Sequence, residues 1–327
     1  MPRARPYFKR AILQSLSPYM GWSTQPRDRA GYVAQRYLDL LEIDDPTSLM
    51  SIDPDRLLAV QSILSRYLHA DDNAAWRPLG GVVDGDWVQA PPLLTLSQHS
   101  IGPNPPPIIL GFAKDEWLFF RGHTDTIRNG DEAAVERALA QVYGPKGPAL
   151  VEAYRRIHPD HAPGRRLSDI LSFQFFKFSS LAMARNFAAR GAPIHLFQFS
   201  YDLPGLGGSL GAPHTGDIPF LWRNIGEEDL SRWPTFAGID TSAVRASTDA
   251  MGRYYGHFIR TGHIDASWPA YEAADETVLW FGEDVRPVRR LLADEWTAFA
   301  ETEIADVQAL EDRLLASLDA RLAARNE

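Results

Sequence analysis

A serine set among glycines, Gly207-Gly208-Ser209-Leu210-Gly211, has the Gly-x-Ser-x-Gly spacing of a nucleophile elbow. That motif needs a strand before it and a helix after it, so that a sharp turn lifts the hydroxyl onto the helix N-terminus. Here Asp202-Leu203-Pro204-Gly205-Leu206 reads as a loop, and Ala212-Pro213-His214 opens no helix. Ser209 is therefore read as a loop residue. His214 shares that glycine-rich loop and precedes the apolar segment Ile218-Pro219-Phe220-Leu221-Trp222. A loop imidazole backed by a rigid segment suits a general base, although an ordinary surface histidine looks the same. Glu116 follows Ile108-Ile109-Leu110-Gly111 across a short link, where open α/β sheets place their sites. It can orient a histidine there, or serve only as a cap or a surface ion pair.

Other candidates are weaker. His158 and His161 flank Asp160 across Pro159, without the i, i+4 spacing of a helical zinc site, and His257 and His263 lie about a turn at Gly262. No metal site is expected. The glycines from Gly205 to Gly211 have no Lys-Ser/Thr and no following helix, so they form no phosphate loop. The 327 residues contain no cysteine, which removes disulfides, cysteine-ligated metals and a thiol nucleophile. Thirty-three basic against 42 acidic residues give a net charge of −9, which makes nucleic acid a poor partner. No apolar run approaches the length of a membrane span, and the polar start is unlike a signal peptide. The expected location is cytoplasmic, unless a segment precedes Met1.

The elements that must position these residues alternate between short apolar runs and helical patterns, an α/β arrangement. Three buried strands are legible: Ala11-Ile12-Leu13, Ile108 to Gly111, and Ile194-His195-Leu196-Phe197-Gln198-Phe199. The last is apolar on both faces, as in a parallel sheet. Gly80 to Trp87 reads as a strand entering an Asp-Gly turn. Helices are expected over Arg27 to Ile43, from Asp53-Pro54 through Tyr67, from Asp131 to Tyr143 with Gly144 as stop, and over Ser179 to Arg190 before Gly191. From Val288 the pattern is helical to the end, with an apolar stripe at Ile304, Val307, Leu310, Leu314, Leu318 and Leu322.

Four stretches, in order, resemble the C-terminal part of the type-B carboxylesterases, the α/β-hydrolase group that includes the cholinesterases and para-nitrobenzyl esterases. They are Tyr7-Phe8-Lys9-Arg10-Ala11-Ile12-Leu13-Gln14-Ser15; Val82-Val83-Asp84-Gly85-Asp86 with Ile108 to Phe120; Ala182 to Tyr201 with Gly211 to Phe220; and Met251 to Phe281, which includes Trp268-Pro269-Ala270-Tyr271. The likeness is weak over residues 19–80 and 121–170. It implies the last strands of a mostly parallel α/β-hydrolase sheet with helical insertions, spanning residues 1–287 and followed by an amphipathic helix over 288–327.

The resemblance also implies roles. Glu116 would be the acid of the triad, His214 its general base, and Ser15 a hydroxyl supporting the acid. Two positions depart from the family pattern: Trp117 stands where glycine is common and would alter the pocket wall, to which Phe119 also belongs. Thr215-Gly216 replaces the usual Gly-x after the histidine. In the family the serine elbow and the oxyanion-hole glycines precede the first stretch, so the nucleophile is expected outside this chain. Without them the chain alone is expected to be inactive, and Ala11 to Leu13 becomes an open sheet edge with marginal stability. The implied substrate of the completed enzyme is a small-molecule carboxylic ester, with no cofactor. The alternative is a non-catalytic binding or adhesion module on the same fold, as in the neuroligins.

Overall fold

A computed structural model describes residues 2–19, 23–68, 79–98, 102, 104–123, 125–227, 230, 232–301, 309, 312 and 316. Its strands are β1 (Ala11–Gln14), β2 (Thr24–Pro26), β3 (Gly81–Val83), β4 (Ile108–Ala113), β5 (Ile194–Phe199), β6 (Val278–Phe281) and β7 (Val285–Val288). The chain divides into a smaller unit drawn mainly from residues 18–95 and a larger one from residues 4–17 and 96–305.

In the smaller unit β2 pairs in parallel with β3. Helices Arg27–Leu41 and Pro54–Leu68 meet through Val33 and Leu64, with Tyr32 and Tyr37 against them. The Arg56 guanidinium donates to the Leu41 carbonyl at 2.6 Å and so satisfies one of the orphan acceptors at that helix end. After β3, the Asp84 carboxylate accepts from the backbone of Asp86 and Val88, while Gly85 takes φ +79°. This is the expected Asp-Gly turn.

The larger unit is built on a five-stranded sheet in the order β1-β4-β5-β6-β7, parallel except for β7. Strands β4 and β5 are buried over nearly their whole length. They sit inside the sheet with both faces covered, which is why their sequences run apolar without alternation. β1 stands at the end of the order, paired with β4, and is only half-buried rather than buried as its apolar residues predict. Two strands of this sheet escape the sequence pattern. β6 is only four residues long, and Pro287 within β7 reads as a breaker, although an edge strand tolerates proline. Val288 therefore closes a strand, and the helix that follows begins at Ala293. The predicted stripe from Ile304 to Leu322 lies outside the described residues.

Helix Arg245–Thr261 buries Met251, Tyr254, Tyr255 and Phe258, at i, i+3, i+4 and i+7, in a core with Phe197, Phe199, Trp268 and Phe281. It stops at Gly262, whose φ of +79° suits a residue without Cβ. The Phe197 ring of β5 lies over Gly111 of β4, where a Cβ would overlap it. Gly111→Ala is thus expected to destabilise the larger unit by about 2–3 kcal/mol, the cost of overpacking a rigid core. Urea denaturation measures it, and a midpoint unchanged from wild type would count against this packing.

Pro163–Ser172, Phe173–Phe178 and Ser179–Ala188 form one helical run whose middle is a π-turn. Such turns widen the helix and displace its carbonyls. The Ser180 hydroxyl accordingly donates to the Phe176 carbonyl at 2.8 Å. The expected helix over Ser179 to Arg190 is the last third of this run.

Candidate active site

Three adjacent parallel strands deliver the site at their C-terminal ends, where an open α/β sheet presents its loops. Just past β1, Ser15 adopts φ +51° and its N–H donates to the Gly111 carbonyl at 2.7 Å. The left-handed turn takes the chain off the sheet, and the Ser15 hydroxyl donates to Glu116 Oε1 at 2.7 Å. Past β4, Glu116 opens the short helix Glu116–His123. Past β5, a loop carries His214 to the same point.

Glu116 is fully buried, at 0% exposure. A buried carboxylate needs donors on both oxygens. Oε1 accepts from the Ala113 N–H at 2.6 Å as well as from Ser15, and Oε2 faces His214 Nδ1 at 2.6 Å. A carboxylate held in this way fixes the ring's orientation and its tautomer, with the proton on Nδ1 and Nε2 left as the acceptor. The imidazole is partly exposed and is flanked by Phe119, Phe120 and Phe176, whose ring centres lie 5.9, 5.4 and 5.2 Å away. Phe176 comes from the π-turn, so the widened helix places an aromatic ring against the imidazole. Trp117 sits farther back, its ring stacked on Phe175 at 4.8 Å and its backbone N–H donating to the Ser172 hydroxyl at 2.9 Å. Of the two residues, Phe119 is exposed and Trp117 is buried.

The His214 loop is tightly wound. Gly211 has φ +58°, and Thr215 has φ +67°, a conformation costly for a β-branched residue. Two carboxylates that the sequence analysis passed over complete the surroundings. Asp217 accepts from Gln14 Nε2 at 2.6 Å. Burial pushes its carboxyl up to about 6, against the opposing Gln14 hydrogen bond. Asp115 is also raised by burial, while Arg165 and Lys114 act to lower it. A second acid beside Glu116 and another three residues after His214 were the available signals.

The structure thus brings together Ser15, Glu116 and His214. Ser209 is not part of this group: its hydroxyl donates to the Leu206 carbonyl at 2.7 Å. It also lines a cavity of about 470 Å³ with Leu118 and Arg165. His158 and His161 stack on one another, and His161 Nδ1 lies 2.6 Å from Asp169, so their surroundings are those of an ion-pair network. No serine hydroxyl among the described residues is hydrogen-bonded to His214.

Comparison with known proteins agrees with this architecture. The chain belongs to the carboxylesterase family, whose model matches residues 1–300. It is 26% identical over 301 residues to the phenmedipham hydrolase of Pseudarthrobacter oxydans, covering 89% of this chain and 57% of that protein. Its fold is similar to a Geobacillus stearothermophilus carboxylesterase structure, with a TM-score of 0.73 at 22% identity, over 91% of this chain and 60% of that one. A PNB esterase structure is similar at a TM-score of 0.67 and 17% identity, over 91% and 59%. The chain therefore spans less than two thirds of the length of these relatives.

Proposed function

We propose that this chain supplies the acid and base of a serine-type carboxylic ester hydrolase, with the nucleophilic hydroxyl and the oxyanion hole coming from outside these residues. The observation that carries the reading is the 2.6 Å contact between a fully buried Glu116 and His214 Nδ1. In this reading His214 Nε2 takes the proton of an approaching serine hydroxyl as it attacks the ester carbonyl. The imidazolium formed is stabilised by Glu116, whose Oε1 is held in place by hydrogen bonds from Ser15 and Ala113. His214 then passes its proton to the departing alcohol, and the same groups activate water for deacylation. The half-exposed aromatic wall favours a small apolar ester. The likeness to the phenmedipham hydrolase makes phenmedipham a second substrate to assay.

A fluorescent serine-reactive phosphonate and a p-nitrophenyl ester test this directly. The chain alone is expected to show neither labelling nor turnover. Combined with a polypeptide carrying the family's serine elbow, it is expected to gain both, with the label on the added serine. Labelling of the chain alone, mapped by peptide mass spectrometry to one of its own serines, would overturn the proposal. Ser209→Ala is expected to leave turnover of the combined enzyme within about twofold, the scale of a surface substitution. A larger loss would return Ser209 to the list of reacting groups.

A further inference from the structure

The residue before the acid does something different from the acid. Asp115 is 2% exposed, and its backbone N–H donates to the Ala212 carbonyl at 2.9 Å. Its Oδ2 accepts from the Ala212 N–H, also at 2.9 Å, and Asp115 and Pro213 form an isolated parallel bridge. Both backbone groups of Ala212 are thus held by one residue, two positions before His214. The approach is close: at Gly211 a Cβ would run into the Asp115 carboxylate, so only glycine fits there.

The carboxylate is itself anchored. The Arg165 guanidinium donates to Oδ1, and Lys114 Nζ lies 3.6 Å from Oδ2. Arg165 in turn reaches Asp169 Oδ1 through Nε at 3.1 Å, and Asp169 holds His161. Two hydrogen-bond donors, Arg165 and the Ala212 N–H, and the nearby Lys114 ammonium converge on Asp115, a set suited to a group that only accepts. An amide in its place would set a donor against a donor, which leaves a buried polar group unpaired.

The loop needs this restraint. It includes Gly205, Gly207, Gly208 and Gly211 and would otherwise retain much conformational freedom. The Glu116–His214 contact, in contrast, tolerates displacement of only about 0.5 Å before its geometry is lost. We infer that Asp115 is a positioning residue, which clamps the His214 loop so that the imidazole stays seated on Glu116. Neighbouring acids then divide the work: Asp115 holds the backbone of the loop and Glu116 holds the ring. The catalytic consequence rests on the acid–base reading above; the structural clamp does not.

The test uses the full chain with isotope-labelled histidine. The His214 Nδ1–H resonance is assigned by its loss in His214→Gln, and its exchange with water is followed by NMR. In Asp115→Asn this proton is expected to exchange about tenfold faster, the scale of losing one charge-assisted hydrogen bond, while the urea transition remains cooperative. Gly211→Ala, which strains the same contact from the loop side, should act in the same direction, as should Arg165→Gln. Unchanged exchange in a folded Asp115→Asn chain would overturn the proposal. Should that variant fail to fold, Arg165→Gln decides by the same reading. In the combined enzyme Asp115→Asn should lower kcat at least tenfold with KM within about twofold, as expected when only transition-state geometry is lost. A change in KM alone would refute the positioning role. If His214→Gln instead leaves turnover intact, the acid–base reading fails, and the exchange measurement still judges the clamp.

Discussion

Glu116→Gln is expected to lower ester turnover by the combined enzyme about 10³- to 10⁴-fold, the scale seen when a triad carboxylate becomes an amide. Size hardly changes, so the effect is electronic. Ser15 and Ala113 both donate to Oε1, which pins the amide oxygen on that side. The amide NH₂ must then face His214 Nδ1, where the carboxylate accepted at 2.6 Å. To avoid donor against donor the imidazole moves its proton to Nε2, the atom that must accept the serine proton. KM should change little, because Glu116 is fully buried and out of reach of a bound ester. Steady-state kinetics with a p-nitrophenyl ester measures the effect, and a loss under tenfold would sink the assigned role. Ser15→Ala should weaken the same arrangement less, since the Ala113 N–H continues to satisfy Oε1.

The second large effect concerns stability. Asp217 is buried and its carboxyl is pushed up from an ordinary 3.8 to about 6. Because the folded value lies above the unfolded one, the folded state holds the proton more tightly. Its contribution is most favourable below about pH 4 and is lost as pH rises through about 6. The difference between 3.8 and about 6 corresponds to about 3 kcal/mol. Asp217→Asn removes this titration. The amide oxygen can still accept from Gln14, but the new NH₂ needs a partner, which offsets about 1–2 kcal/mol of the gain. The variant should therefore be more stable than wild type by about 1–2 kcal/mol at pH 8. At pH 4 it should show no gain or a deficit. Urea titrations at both pH values measure this, and parallel stability curves would eliminate Asp217 as the responsible group.

How much of this was legible depended on how local the cause was. Strands β4 and β5 could be read because burial on both faces leaves an uninterrupted apolar run. Asp131 and Gly144 could be read as helix ends because capping is local: the Asp131 carboxylate accepts from the Ala134 N–H at 2.8 Å, and Gly144 has φ +57°. The π-turn was not legible, because nothing in Phe173-Gln174-Phe175-Phe176-Lys177-Phe178 distinguishes it locally from an α-helix. The packing of Trp117 was not legible for a related reason: the helix Pro163–Ser172 and the π-turn behind it decide which way its ring can lie.

The amino-acid sequence by itself determined the family resemblance, the strand that ends before each candidate, and the order of Glu116 before His214. The resemblance singled out Glu116, and the tertiary structure shows how Glu116, rather than the adjacent Asp115, meets the imidazole. Asp115 and Glu116 are neighbours, and either could orient a histidine. The physical reason is their opposite placement where β4 ends. Asp115 still bridges to the loop backbone, whereas Glu116 begins a helical turn and projects toward a ring 98 residues away in the chain. Contacts closed over such separations depend on the packing of the whole sheet, and no local pattern encodes them.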